Sequence, residues 1–291
     1  MSQKGHKKRV TLQKRNSRYG LLFMAPWLIG LLLFTAMPFF YSLWLSICRV
    51  SFSTSGIRTE VIGIKWYLEA FQNDANFIPK LLSTLKFIVF LTPMIIVVSV
   101  IFALLLNKGM RGRGFFRALF FLPVVFINGP VMNKLIGNDA TAIIKPELYG
   151  FYQIIETLPG VISVPLLYIL DNIVLILWFA GIQILIALSA LQKVNPSLYE
   201  AASIDGASTW QSFWKITMPN LKPMLMVSAV YTVVDLSCYG GNAINGYIKN
   251  NMEVTTKIYS YSAAMSWIYA VIVLLCILVV FAIFKERRKE R

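Results

Sequence analysis

Six apolar stretches, roughly 20–45, 81–106, 115–135, 172–191, 222–240 and 264–284, alternate with short polar segments along the chain. Each approaches the ~20 residues an α-helix needs to cross a hydrocarbon layer. The pattern therefore predicts six membrane-spanning helices and an all-α integral membrane fold. The first stretch, Tyr19 to Ile47, is too long for a signal-peptide core and ends at no small-residue cleavage site, so a retained span is expected. Pro26 and Pro38 fall in the first stretch, Pro93 in the second, and Pro123 and Pro130 in the third. Broken backbone at membrane depth is tolerated where protein or a water-filled cavity re-satisfies the freed groups, although proline is also commoner in membrane helices than in soluble ones.

Charge fixes the orientation. The net charge of +15 would suggest nucleic acid on a soluble protein. Here the positive residues sit beside the apolar stretches: Lys4, Lys7, Lys8, Arg9, Lys14, Arg15 and Arg18 before the first, Lys108, Arg111, Arg113 and Arg117 between the second and third, and Lys285, Arg287, Arg288, Lys289 and Arg291 after the last. The positive-inside rule makes these segments cytoplasmic, which puts both termini inside and requires an even number of spans. The charge then serves topology and attraction to anionic lipid, and no nucleic-acid partner is expected. The division expected is a basic cytoplasmic tail at 1–19, one membrane domain at 20–284 and a second basic tail at 285–291. Loops at about 48–80, 137–170 and 241–263 fall outside and could form a docking surface.

The composition, 57% hydrophobic and 14% charged, agrees with a bilayer solvent. His6 is the only histidine, and Cys48, Cys238 and Cys276 are too dispersed for a zinc site. No metal site is expected. The chain has no Gly-Lys pair, hence no phosphate-cradling loop, and should not hydrolyse ATP.

The segment 192–221 between the fourth and fifth stretches carries the most information. Asn195 is a good N-cap and Pro196 suits the first helical position, so a helix should run from Pro196 to about Ile204 and stop near Gly206. Ser208 and Gln211 have capping-box spacing and should start a second helix, ended by Pro219. Leu198, Ala201 and Ala202 share one face of the first helix, and Trp210, Phe213 and Trp214 one face of the second. Both helices are too short to span. An apolar, small-residue knob of this kind fits a partner's groove, or else lies on lipid.

The pattern of Glu200, Ala201, Ala202, Gly206, Ile216 and Pro219 resembles the signature of permease subunits of ABC importers, with Met218 in place of a leucine. The likeness extends to the carbohydrate-uptake branch through Ala25-Pro26, Trp66-Tyr67, Phe71, Asp74, Phe77, Phe116-Arg117, Leu122-Pro123, Trp178, Leu191-Gln192, Ile204 to Ala207, and Asp235. Ser83 stands where that branch usually has asparagine, and its glycine-rich segment after the fifth span is reduced to Gly240-Gly241. The resemblance implies a type I ABC importer permease fold with a cytoplasmic coupling helix, in a bacterial plasma (inner) membrane. It implies that ATP and Mg are used by separate ATPase subunits, with no cofactor in this chain. Implied partners are an ATPase dimer, a second homologous permease and an extracytoplasmic solute-binding protein. Coupling residues would be Glu200, Ala201, Ala202, Asp205 and Gly206, with Ile216 and Pro219 anchoring the second helix.

A sugar pathway needs hydrogen-bonding groups and aromatic faces, for which Asn128, Asn133, Trp178, Gln183, Tyr231, Asp235 and Tyr239 are candidates. Polar groups in membrane helices also hold helices together. An ABC permease for a non-sugar solute keeps all these arguments except the substrate. A secondary transporter would use intramembrane acids and bases for ion coupling, and Asp235 is nearly alone apart from Asp171 at a span edge. An integral-membrane enzyme would need converging acid/base or metal-ligating groups, and the sequence clusters none.

Overall fold

The computed structural model describes residues 12–53, 56–107, 114, 150–252 and 259–285. The third apolar stretch, with Asn128 and Asn133, lies outside them. Among the described residues five helical segments are long and apolar enough to cross a membrane: Leu22–Ser46, Phe77–Asn107, Ile173–Leu191, Thr209–Cys238 and Ser260–Phe284. The described chain divides into two units, 1–70 with 251–267, and 71–250 with 268–291.

In the first unit, α1 (Leu12–Leu31) continues through a π turn (Leu32–Ala36) into α2 (Met37–Ser46). The π turn explains how the helix passes Pro38. A proline lacks an N–H and its ring collides with the carbonyl four residues back. Here the Met37 N–H bonds the carbonyl of Leu32, five back, widening the helix just before the proline.

After α2 comes a feature that the all-helical expectation did not include, an antiparallel hairpin of β1 (Cys48–Ser53) and β2 (Gly56–Val61). Its register runs from Cys48 opposite Val61 to Ser53 opposite Gly56. Short alternating strands leave no mark on a hydropathy profile built for spans of about 20 residues. Trp66, in α3 (Lys65–Gln72), donates its indole N–H to the Cys48 carbonyl at 2.9 Å and packs against Tyr261 at a ring separation of 5.7 Å. The Arg49 guanidinium of β1 lies 5.6 Å from the Trp66 ring centre, a cation–π contact.

The second unit is built on α4 (Phe77–Asn107), α7 (Ile173–Leu191) and α10 (Met218–Cys238). Ile88, Leu91 and Ile95 of α4, Phe179, Ala180 and Ile184 of α7, and Leu221, Val233 and Leu236 of α10 share one buried core. In lipid the apolar side chains gain little from leaving the solvent, so close packing has to hold the helices. Ala180, Gly181, Ala187 and Ala190 on the buried side of α7 keep its backbone close to its neighbours. Two shorter helices, α5 (Gly150–Glu156) and α6 (Gly160–Asp171), precede α7, and α11 (Ala243–Met252) follows α10. Burial, and then the hydrogen bond it donates to Asp171, pushes the Tyr152 phenol of α5 up to about 12, so it stays protonated at neutral pH. The last helix, α12 (Ser260–Phe284), contributes Ile268 onward to this unit.

α11 is pinned to the start of α4. Asp74 accepts from the backbone N–H groups of Asn76 at 3.0 Å and Phe77 at 3.1 Å, capping α4. The Tyr247 hydroxyl of α11 donates to the same carboxylate at 2.8 Å, and the Lys80 ammonium sits 5.3 Å from the Tyr247 ring centre.

Candidate functional site

The segment after α7 folds as its capping residues dictate. Asn195 accepts from the Ser197 N–H at 3.1 Å and Pro196 opens α8 (Pro196–Ile204). Gly206 ends it at φ +75°, the left-handed region where a glycine avoids the clash of a Cβ with the following carbonyl. Its N–H reaches the Ser203 carbonyl at 3.1 Å and that of Ala207 the Ala202 carbonyl at 2.9 Å, the paired bonds of a Schellman motif. Ser208 and Gln211 then form a reciprocal capping box that starts α9 (Thr209–Ser212).

Pro219 does not end this second helix. A π turn over Phe213–Thr217, in which the Met218 N–H bonds the Phe213 carbonyl, widens the helix ahead of the proline and joins α9 to α10. The spacing repeats that of Leu32–Ala36 and Pro38. The segment from Thr209 to Cys238 is thus one continuous helical rod, long and apolar enough to cross a membrane.

Glu200, Ala201, Asp205 and Gly206 are all exposed on α8 and its C-terminal turn, and Ala202 is half-buried. Leu198 and Ile204 are exposed as well, Ile204 at 86%. Beyond them Trp210, Phe213 and Trp214 form a cluster of rings with centroids 5.1–6.0 Å apart. A single hydrogen bond ties α8 to the rod: the Tyr199 and Thr217 hydroxyls meet at 2.9 Å, with Thr217 buried inside the π turn. Ile216 is half-buried there, and its carbonyl accepts from the Asn220 amide at 2.7 Å. Sequence reasoning missed Tyr199 and Thr217, because no local pattern links residues on separate helices.

The polar candidates in the spans fall into different settings. Gln183 is fully buried between α7 and α10, donating to the Thr232 hydroxyl at 2.9 Å, and lines none of the cavities described below. Its amide oxygen and the Trp178 indole N–H have no partner among the described residues. Exposed Tyr231 and half-buried Asp235 share a face of α10 one turn apart, where Val227 and Val234 are exposed. Tyr239, at the far end of α10, stacks on Phe87 at 6.2 Å and meets Phe179 edge-on at 5.5 Å. Gly241 makes this possible, since a Cβ there would lie 2.6 Å from the Tyr239 ring.

Beside Tyr239 two cavities adjoin, sharing Ser83 and Phe87. One, of about 480 Å³, lies among α4, α6 and the start of α7, with Lys86, Phe90, Tyr168 and Asn172 on its walls. The other, of about 340 Å³, lies against Tyr239 and Asn242. A third cavity, of about 450 Å³, lies between α8 and α9 and is lined by Ala202, Asp205, Gly206 and Lys215. Among the described residues no three His, Cys, Asp or Glu gather to hold a metal ion.

Residues 70–285 match the family described as binding-protein-dependent transport system inner membrane component. The chain is 28% identical to a probable ABC transporter permease protein, YesP, of Bacillus subtilis, covering 94% of this chain and 93% of that one. It is 27% identical to the lactose transport system permease protein LacF of Rhizobium radiobacter, covering 96% and 98%. Among solved structures it is similar to a chain of a bacterial alginate ABC transporter in complex with an alginate pentasaccharide-bound periplasmic protein, with a TM-score of 0.61, 22% identity and coverage of 96% and 99%.

Proposed function

Since the chain belongs to the family of binding-protein-dependent transport inner membrane components, we propose that it forms half of the translocation pathway of an ATP-driven importer for a sugar or oligosaccharide. It crosses the plasma membrane with both termini in the cytoplasm, and a second homologous permease supplies the other half. An ATPase dimer receives α8 in a groove of one of its subunits, and a solute-binding protein delivers its cargo to the opposite face. Lactose and alginate in the names of the relatives support a carbohydrate as the solute.

The observation that carries this reading is the form of the coupling segment. α8 is capped at both ends, presents Glu200, Ala201 and Asp205 outward, and is tied through Tyr199 and Thr217 to a rod continuous with a membrane span. A stiff exposed knob on a span is what a lever requires: a push on α8 moves α10 instead of bending a loop. Glu200 and Asp205 supply negative charge for pairing in the groove that receives it, and the small side chains of Ala201 and Ala202 allow close approach.

The test is reconstitution of the chain with its partner permease and ATPase in lipid, comparing ATP hydrolysis with and without solute-loaded binding protein in wild type and Glu200→Ala. Stimulation by sugar-loaded binding protein that drops at least severalfold in the variant is expected. Absence of any associating ATPase, or a variant indistinguishable from wild type, overturns the coupling assignment.

A further inference from the structure

The chain that follows the first span is built more firmly than a mere connection requires. An isolated two-stranded hairpin is marginal in water. Here the Ile47 carbonyl, just past α2, accepts from the backbone N–H groups of Ile62 at 2.9 Å and Gly63 at 3.0 Å, which closes the open end of β1 and β2 onto that helix. The Val50 N–H donates to the Ser260 hydroxyl at 3.2 Å, and the Ser46 and Tyr67 hydroxyls meet at 2.8 Å. The Trp267 indole N–H donates to the Ser42 hydroxyl at 3.3 Å, with the Phe39 ring 4.9 Å from its own. Ser46, Cys48, Ala70 and Tyr261 are fully buried. The hairpin, α3, the end of α2 and the first turns of α12 are thereby joined as one block.

Binding residues are disproportionately carried on loops that a rigid scaffold positions. What this scaffold displays is a polar face. In the register Arg49 stands opposite Glu60 and Ser51 opposite Arg58, so these four share one face of the ribbon, with Cys48 and Val50 on the other. All four are exposed, as is Lys65 at the start of α3. Arg49, Arg58 and Lys65 against the single carboxylate of Glu60 leave the patch positive.

With the N-terminus in the cytoplasm, a hairpin after the first span lies on the extracytoplasmic side, where a binding-protein-dependent transporter meets its binding protein. We propose that the polar face of this hairpin is a seat for the solute-binding protein, with the Arg58 guanidinium pairing a carboxylate of an acidic surface on it. Arginine is the residue interfaces favour, because its fork matches a carboxylate with two parallel bonds. A lipid surface is the poorer occupant, since none of the four side chains is apolar and able to enter the acyl boundary. The block also gives the contact an effect: a load on the hairpin reaches α2 through Ile47 and α12 through Ser260. This deepens the importer reading and rests on it and on its topology.

The test uses the assembled transporter in lipid nanodiscs, with ATP hydrolysis followed as purified, solute-loaded binding protein is titrated in. Arg58→Glu is expected to raise the half-saturating concentration of binding protein about tenfold, as loss of one charge-assisted hydrogen bond provides, while the rate at saturation stays that of wild type. Glu60→Gln, which removes the negative charge of the face, should lower the half-saturating concentration about twofold. A photoreactive residue at Ser51 should cross-link to the binding protein in the same preparation. An unchanged half-saturating concentration in Arg58→Glu, a change in the saturated rate alone, a rise with Glu60→Gln, or no cross-link from Ser51 overturns the proposal. So does a loss in Arg58→Glu that is the same without binding protein and disappears when anionic lipid is left out, which would assign the face to the membrane. The importer reading stands through all of these results as long as loaded binding protein stimulates the wild type; if it does not, that reading falls first and this one with it.

Discussion

The two ends of α10 are held by different kinds of interaction. At the end joined to α8 nearly every restraint is local: Asn195 on Ser197, the Schellman bonds around Gly206, the capping box of Ser208 and Gln211, and the π turn ahead of Pro219. The one bond of longer reach is Tyr199 to Thr217. At the Tyr239 end the restraints come from distant parts of the chain. Tyr239 is wedged between Phe87 and Phe179, Tyr269 donates to the Ser237 carbonyl at 3.0 Å, and Tyr247 of α11 reaches back to Asp74. On the proposed function another protein grips α8, so that its surface has to keep its shape without help from neighbours, and caps provide that. A surface that must fit a small solute needs walls from several helices, which only distant contacts can assemble.

With the proposed function, this contrast predicts that damage at the Tyr239 end registers in solute binding and damage at the α8 end in the link between binding and ATP hydrolysis. The largest effect is expected from Gly241→Ala. Its Cβ would press on the Tyr239 ring, and overpacking of this kind costs about 1–3 kcal/mol. Thermal unfolding of the reconstituted complex should fall by several degrees and solute affinity should drop; an unchanged melting curve would contradict the placement of Tyr239.

Next is Gly206→Val, which forces a β-branched residue into the left-handed region at a cost of about 2 kcal/mol. Solute binding should persist while solute-stimulated ATP hydrolysis is lost, and loss of both together would erase the distinction between the ends. Ser208→Ala removes one arm of the capping box, worth about 1 kcal/mol, and should reduce the same stimulation partially, with rescue in Ser208→Asp.

The smallest effect belongs to the middle of the rod. A double-mutant cycle of Gln183→Leu and Thr232→Val should return a coupling of about 0.6 kcal/mol, the usual worth of a hydrogen bond between membrane helices. Solute preference should not move in either single variant, because Gln183 is sealed between α7 and α10. A shift in preference on Gln183→Leu would place that side chain in the pathway after all.

Much of the segment 192–221 could be read before any fold was known. The bounds of α8, its caps and the start of α9 follow from residues within a few positions of each other, and the energies involved, about 1 kcal/mol for each cap, are local. The reading erred at Pro219 because a proline stops a helix only if the backbone ahead of it cannot widen, and the π turn at Phe213–Thr217 supplies that widening. The hairpin at Cys48–Ser53 and Gly56–Val61 escaped notice because strands of six residues leave no mark on a pattern read for spans of about 20.

By itself, then, the sequence determined the apolar character of the chain, the approximate place of the five described spans and the bounds of α8, because length, apolarity and capping act over neighbouring residues. Tertiary structure alone decided which polar groups meet. It sealed Gln183 against Thr232, set Tyr239 between two phenylalanines over a glycine, and brought Lys86 to the same groove as Tyr168 and Asn172. Those encounters depend on the rotation and depth of whole helices, which packing of small residues fixes and no stretch of a single helix encodes.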